Sequence, residues 1–200
     1  MARKQYNKDS YNIYRGIVPF IDNDPSHKEF YEVGLDYDQV SKSEKKYPLQ
    51  EPTPFPPSDK DNKFKNFVNN HYQTMQNLSL KIMSYLAEGL GLELDFFDKW
   101  FEKDSLSTFR MIHYLPRSSG VVKNDQLTEE DMKFTTMEHQ DSTVLTLLST
   151  FNYPGLQVKV GEEYKSIRPQ KNTLIVNLGV LFSRMTNFKL KATLHRVLDI

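Results

Sequence analysis

The hydrophobic pattern of this chain changes period once, close to residue 105. Across residues 62–90, apolar and aromatic side chains stand at Phe64, Phe67, Val68, Tyr72, Met75, Leu78, Ile82, Met83, Leu86 and Leu90. That is the i, i+3, i+4 rhythm of one buried helix face. Gly89 and Gly91 supply a stop. Such a helix is about 43 Å long at 1.5 Å per residue and is expected to back a sheet. Residues 95–102 read as a short second helix with Asp95 as its cap. Beyond Ser107 the pattern becomes that of strands, predicted at 108–114, 143–150, 156–160, 164–168, 173–178 and 193–198. Pro154-Gly155 and Gly161-Glu162-Glu163 supply turns between them. Short strands at intervals of about ten residues, punctuated by turns, predict a sandwich or jelly roll. Helices followed by a β-rich module make an α+β domain.

The stretch before the helix is expected to be different. Pro48, Pro52, Pro54, Pro56 and Pro57 crowd one segment. Each fixes its φ angle and removes an amide donor, so no helix or central strand should pass through it. The chain therefore divides into an irregular N-terminal arm with a proline-rich connector (1–61), a helical support (62–104) and a β-rich core (105–200).

Charge and composition remove several classes of function. Lys+Arg and Asp+Glu each number 26. A balanced chain argues against nucleic-acid binding and against a polybasic membrane anchor. No apolar run approaches the 18 residues or so that a transmembrane helix needs. Cysteine is absent, which excludes disulfides, thiolate zinc sites, iron–sulfur clusters and cysteine nucleophiles. Any metal must be held by His, Asp, Glu or Tyr. The first ten residues lack the apolar run of a secretory signal, so a cytoplasmic address is expected. P-loop, G-x-G-x-x-G, G-x-S-x-G and H-E-x-x-H patterns are all missing.

Chemistry therefore rests on five histidines: His27, His71, His113, His139 and His195. His139-Gln140-Asp141 puts an imidazole and a carboxylate two residues apart at the mouth of a strand, where i and i+2 face the same side. His195 falls within the last predicted strand. Two imidazoles and one carboxylate on one face of a metal leave three positions open, the site type of non-haem Fe(II) oxygenases. On spacing alone the bland alternative stands beside this one, because H-x-D arises by chance and strand histidines are often packed or exposed. His71 reads as a packed helix residue, His27 as an exposed loop residue, and His113 as structural, facing away from Tyr114. The pairs Glu129-Glu130 and Glu162-Glu163 read as solvated. Phe96, Phe97, Trp100 and Phe101 read as core or a contact face.

The flanking residues add a resemblance. Met137 to Leu148 (MEHQDSTVLTLL), Pro154-Gly155-Leu156-Gln157-Val158, Asn177-Leu178-Gly179, Asn187, and Lys191 to Val197 (KATLHRV) stand in one order. Upstream lie Tyr14-Arg15-Gly16, Phe30 to Gly34 (FYEVG) and the proline-rich stretch. Together they resemble the isopenicillin N synthase-like family of Fe(II)- and 2-oxoglutarate-dependent dioxygenases, from about residue 12 to the C-terminus. The resemblance implies a double-stranded β-helix (jelly-roll) core with the long helix packed outside it. It implies that His139, Asp141 and His195 hold Fe(II), and that 2-oxoglutarate is the co-substrate, decarboxylated to succinate as a small organic substrate is oxidised with O₂. Tyr114 matches a tyrosine whose hydroxyl contacts the 2-oxoglutarate carboxylate, whereas Ile112 stands in place of the family's Asn.

Three departures accompany the resemblance. Val180 stands where Asp often follows Asn-Leu-Gly, and Phe188 where Gly often follows Asn187. The family's Arg-x-Ser pair falls roughly ten residues beyond the second metal histidine, whereas this sequence stops at Ile200. That arginine pairs with the distal carboxylate of the co-substrate, a match for a bidentate guanidinium fork. Arg168, Arg184 and Arg196 are not favoured as its substitutes. The expectation is a chain truncated at both ends. A catalytically impaired metal-binding or interaction protein is one alternative, and a 2-oxoglutarate-independent oxidase like isopenicillin N synthase is another.

Overall fold

The computed structural model describes residue 12 and residues 15–21, 26–35, 49–101, 105–115 and 134–199. Tyr14, Pro48 and the Glu129-Glu130 pair lie outside the described residues. The chain divides into two compact units, 1–20 with 29–113 and 21–28 with 114–200.

In the first unit, strands β1 (Gly16–Val18), β2 (Lys28–Val33) and β3 (Phe109–Tyr114) form a sheet in that order, with the end residues Lys28 and Tyr114 assigned to the second unit. β1 and β2 are antiparallel, Gly16 opposite Glu32 and Val18 opposite Phe30. Both strands lie within residues 1–61, read above as irregular. The pattern of β2 hides it: Lys28, Glu29 and Glu32 are charged, and Glu32 is fully buried. Burial is tolerable because the Arg110 guanidinium on β3 donates to its carboxylate, Nε to Oε1 at 2.9 Å. A buried charge must be paired in this way.

Helix α1 (Lys63–Gly89) follows the expected period except at Phe67, which is exposed, and it packs on this sheet. Val68, Tyr72, Met83 and Ala87 are buried on its inner face. Phe64 meets Tyr31 and Phe55 at ring separations of 5.7 and 6.1 Å, and His71 packs on Phe109 of β3 at 4.8 Å. The first turn is capped by Asp59, whose carboxylate accepts from the amides of Phe64 and Lys65. The end is a Schellman motif. Leu92 N–H reaches Ala87 O, Gly91 N–H reaches Glu88 O, and Gly91 takes a φ of +76°, which glycine adopts without steric cost.

Helix α2 is shorter than predicted, Asp98–Phe101, because turns bonded from Phe96 N–H to Glu93 O and from Asp98 N–H to Asp95 O precede it. Of its aromatic cluster only Phe97 is buried, at 3% exposure, and Phe96 meets both Phe97 and Trp100 edge-on.

The second unit contains β4 (Phe134–His139), β5 (Leu145–Leu148), β6 (Leu156–Val160), β7 (Glu163–Ser166), β8 (Ile175–Leu178), helix α3 (Val180–Met185) and β9 (His195–Leu198). They build the antiparallel sheets of a jelly-roll core, β4-β9-β6-β7 and β5-β8. The last strand crosses back to lie between β4 and β6. Val158 faces His195 on one side of β9, and His139 faces His195 on the other. This crossover brings two histidines distant in sequence to one place. Among the described residues, no helix is long and apolar enough to cross a membrane.

Beyond α3 the chain turns through Asn187 at φ +52° and Phe188 at φ +61°. Phe188 thus occupies a left-handed conformation that costs an L-residue about 1–2 kcal/mol, and its side chain is 65% exposed. Phe188→Gly is expected to stabilise the protein by about 1 kcal/mol, raising Tm by roughly 2–4 °C for a chain of this size. A thermal melt checks this, and a lowered Tm would mean that the ring is needed where it stands.

Candidate metal centre

β4 ends at His139 and β9 begins at His195, and the two are register partners. Each ring is fixed by the carbonyl two residues before it. His139 Nδ1 lies 2.8 Å from Met137 O, and His195 Nδ1 lies 3.0 Å from Thr193 O. A carbonyl only accepts, so both Nδ1 atoms carry a proton, and Nε2 is the nitrogen each ring turns toward Asp141. The ring centroids are 4.2 Å apart.

Asp141 comes to the same point by a different route from the one expected. Strand alternation does not align it with His139, because β4 stops at His139 and Asp141 lies in the loop beyond. That loop is clamped by α3. Val180 N–H donates to Asp141 O at 2.7 Å, Leu181 N–H to Thr143 O at 3.2 Å, and Gly179 N–H to Val144 O at 3.0 Å. Gln140 Nε2 donates to Ala192 O at 2.7 Å, tying the loop to the segment before His195. Gly179 has no room for a side chain, since a Cβ there would stand 2.0 Å from Thr143 O.

The result is a compact donor set. Asp141 Oδ1 is 3.5 Å from His139 Nε2 and 3.6 Å from His195 Nε2, and one ligand atom from each residue lies within 4.8 Å of the others. The other oxygen, Oδ2, accepts from Thr146 Oγ1 and from Asn177 Nδ2, each at 2.7 Å. The His139 imidazole beside it holds the Asp141 carboxyl well below the usual carboxylate range, against the opposing effect of burial, and the Thr146 and Asn177 donors and the His195 imidazole add to this. The Asp141 carboxylate in turn raises the His139 pKa above its ordinary value, with burial and the Lys28 ammonium opposing. The site thus brings an ionised carboxylate and the Nε2 atoms of two imidazoles together. This donor set suits Fe(II) and leaves three positions of an octahedral ion open.

The other residues singled out from the sequence fall elsewhere. Tyr114 closes β3 and is 39% exposed. His113 pairs with Glu29 at 2.9 Å. His27 is half-buried rather than exposed, because its Nδ1–H bonds Leu115 O at 3.0 Å. Arg196 is occupied away from His195, bonding Gln157 Oε1 at 2.8 Å and lying 3.6 Å from the Tyr164 ring centroid. Thr146, Asn177 and Gly179 had no role assigned from sequence. The signal for the first two was a polar residue interrupting an apolar strand, in TVLTLL and TLIVNL.

The sequence profile described as the 2OG-Fe(II) oxygenase superfamily matches residues 107–200, which contain all three converging side chains. Gibberellin 20 oxidase 1 of Arabidopsis thaliana is 36% identical over 124 residues, covering 62% of this chain and 30% of that protein. The 2-oxoglutarate-dependent dioxygenase citB of Monascus ruber is 28% identical, covering 91% of this chain and 59% of its own length. Among solved structures, a full-length Neurospora crassa protein in complex with alpha-KG and 5-formyluracil superposes with a TM-score of 0.77 at 28% identity, covering 98% of this chain and 57% of that one. The chain thus spans less than two-thirds of each of these proteins.

Proposed function

We propose that this chain carries the metal and co-substrate centre of a non-haem Fe(II)- and 2-oxoglutarate-dependent dioxygenase acting on a small organic substrate, with a cytoplasmic address. The convergence of His139 Nε2, His195 Nε2 and Asp141 Oδ1 is the observation that carries the reading. The match of residues 107–200 to the 2OG-Fe(II) oxygenase superfamily profile supports it. When bound, Fe(II) supplies open positions for 2-oxoglutarate and O₂ and the redox change that couples decarboxylation to substrate oxidation.

The protein's share is to hold and orient. Each Nδ1–H is committed to a carbonyl, so Nε2 is the atom through which His139 and His195 would hold the metal. Asp141 offsets one of the two positive charges and stays ionised because of the groups around it. Tyr114 is proposed to bond the 2-oxoglutarate carboxylate through its hydroxyl. The relatives act on different small molecules by their names, so the substrate class stays at that level.

The test is O₂ uptake and succinate formation by the anaerobically purified chain after addition of Fe(II), with and without 2-oxoglutarate. The expected result is O₂ uptake that depends on both, with one succinate formed per O₂ consumed. Uptake independent of 2-oxoglutarate would favour the oxidase reading. Iron binding without any uptake would favour a binding module. Either outcome contradicts the proposal.

A further inference from the structure

The Asp141 carboxylate is gripped from one side only, and the grip comes from two strands. Thr146 on β5 and Asn177 on β8 are direct register partners, so their side chains rise from the sheet at one point. Both donate to the same oxygen, Oδ2, at 2.7 Å each. Thr146 is itself steadied by Thr143, whose hydroxyl lies 3.2 Å from its own. A carboxylate oxygen has two lone-pair directions, and two neutral donors fill both. Oδ1 accepts from neither and faces the two imidazoles.

We propose that Thr146 and Asn177 are positioning residues that restrict Asp141 to one donor oxygen. The inference rests on the metal reading above and deepens it. A carboxylate free to rotate can offer a cation both oxygens. That would consume a fourth position and leave two open where the proposed reaction needs three. Two convergent donors oppose this rotation, because swinging Oδ2 toward a cation breaks both hydrogen bonds in a half-buried site, where lost partners are costly. Partners that orient a ligand in this way typically change metal affinity or activity 10- to 100-fold. The donors also belong to strands rather than loops, which fixes their positions more tightly.

The experiment compares the parent chain with Thr146→Ser, Thr146→Val, Asn177→Ala and Asp141→Asn. Folding is checked by circular dichroism. Co(II) and Fe(II) are titrated anaerobically, and the visible absorption of the Co(II) form reports coordination number. Thr146→Ser keeps the hydroxyl and is expected to match the parent. Thr146→Val and Asn177→Ala are expected to shift the Co(II) spectrum and to change metal affinity by about 10- to 100-fold. If one of these two does not fold, the other carries the test. Folded variants with the parent's affinity and spectrum would overturn the inference and leave the metal reading intact, provided that Asp141→Asn loses the metal. If Asp141→Asn binds as the parent does, the metal reading falls and takes this inference with it. A purely structural role would lower the melting temperature of the apo chain and leave the Co(II) spectrum unmoved.

Discussion

Asp141→Asn is expected to weaken Fe(II) binding by more than about 100-fold while leaving the fold in place. The magnitude follows from rank: residues that merely orient a ligand cost 10- to 100-fold when lost, and Asp141 is the sole anion of the donor set. Asparagine has the same shape. Its amide oxygen can take the place of Oδ2 and accept from Thr146 and Asn177, which now bond that atom at 2.7 Å. Its amide nitrogen then faces the two Nε2 atoms and has no lone pair to offer a cation. Asp141→Ala should lose the metal equally but also strand two donors, at a cost of about 1–3 kcal/mol for each buried unsatisfied group. The difference in melting temperature between the two variants therefore separates the carboxylate's structural role from its role as a ligand. Isothermal titration with Fe(II) under argon reads the affinity. Parent-like binding by Asp141→Asn would contradict the assignment.

Gly179→Ala is expected to be the most damaging single methyl addition in the site's support. The backbone angle is not the obstacle, since Gly179 has φ −92° and ψ 170°, which any residue adopts. Space is the obstacle. The new Cβ would stand 2.0 Å from Thr143 O, 2.6 Å from Thr143 C and 3.0 Å from Asp141 O. All three are backbone atoms, so no side chain can swing aside. Either α3 withdraws or the 141–144 loop does, and the amide bonds from Gly179, Val180 and Leu181 to that loop are lost together. Overpacking of this kind costs about 3 kcal/mol, or roughly 6–12 °C in Tm for a chain of this size. Because the loop carries Asp141, Fe(II) affinity should fall in parallel. A melt and an iron titration on the same preparation check both, and an unchanged Tm would show that the loop and α3 are less tightly joined than their hydrogen bonds imply.

The parts legible in the sequence are those written by periodicity. The spacing from Phe64 to Leu90 produced α1 almost to the residue, because one buried face repeats along it and Gly91 closes it with a left-handed turn. The strands β5 and β8 were legible because apolar residues dominate them between turn signals, and β6 because apolar and polar residues alternate along it. β2 was not, because one of the two residues it buries fully is Glu32, and only the structure reveals the Arg110 partner on β3 that makes this tolerable. β4 was hidden in a similar way, since the one position it buries is held by Thr135 rather than an aliphatic side chain, and Met137 is exposed.

The candidate site divides along the same line. His139, Asp141 and His195 were legible as a pattern, but the reason for their convergence was not. Alternation along a strand does not supply it. The β9 crossover sets His195 beside His139, and the hydrogen bonds of α3 and β8 turn Asp141 toward both. These are long-range contacts, and a linear sequence marks them only by an asparagine and a glycine in odd places. Phe188 illustrates the opposite case, in which the departure was visible in the sequence and the structure supplies its physical meaning as a strained φ.

The central claim is that one cation sits where Nε2 of His139, Nε2 of His195 and Oδ1 of Asp141 converge. An anomalous difference map from crystals of the chain grown anaerobically with Fe(II), recorded at the iron edge, tests it most directly. The account predicts a single strong peak within coordination distance of those three atoms, with Asp141 Oδ2 still bonded to Thr146 and Asn177. A peak elsewhere, or none at saturating iron, would contradict it.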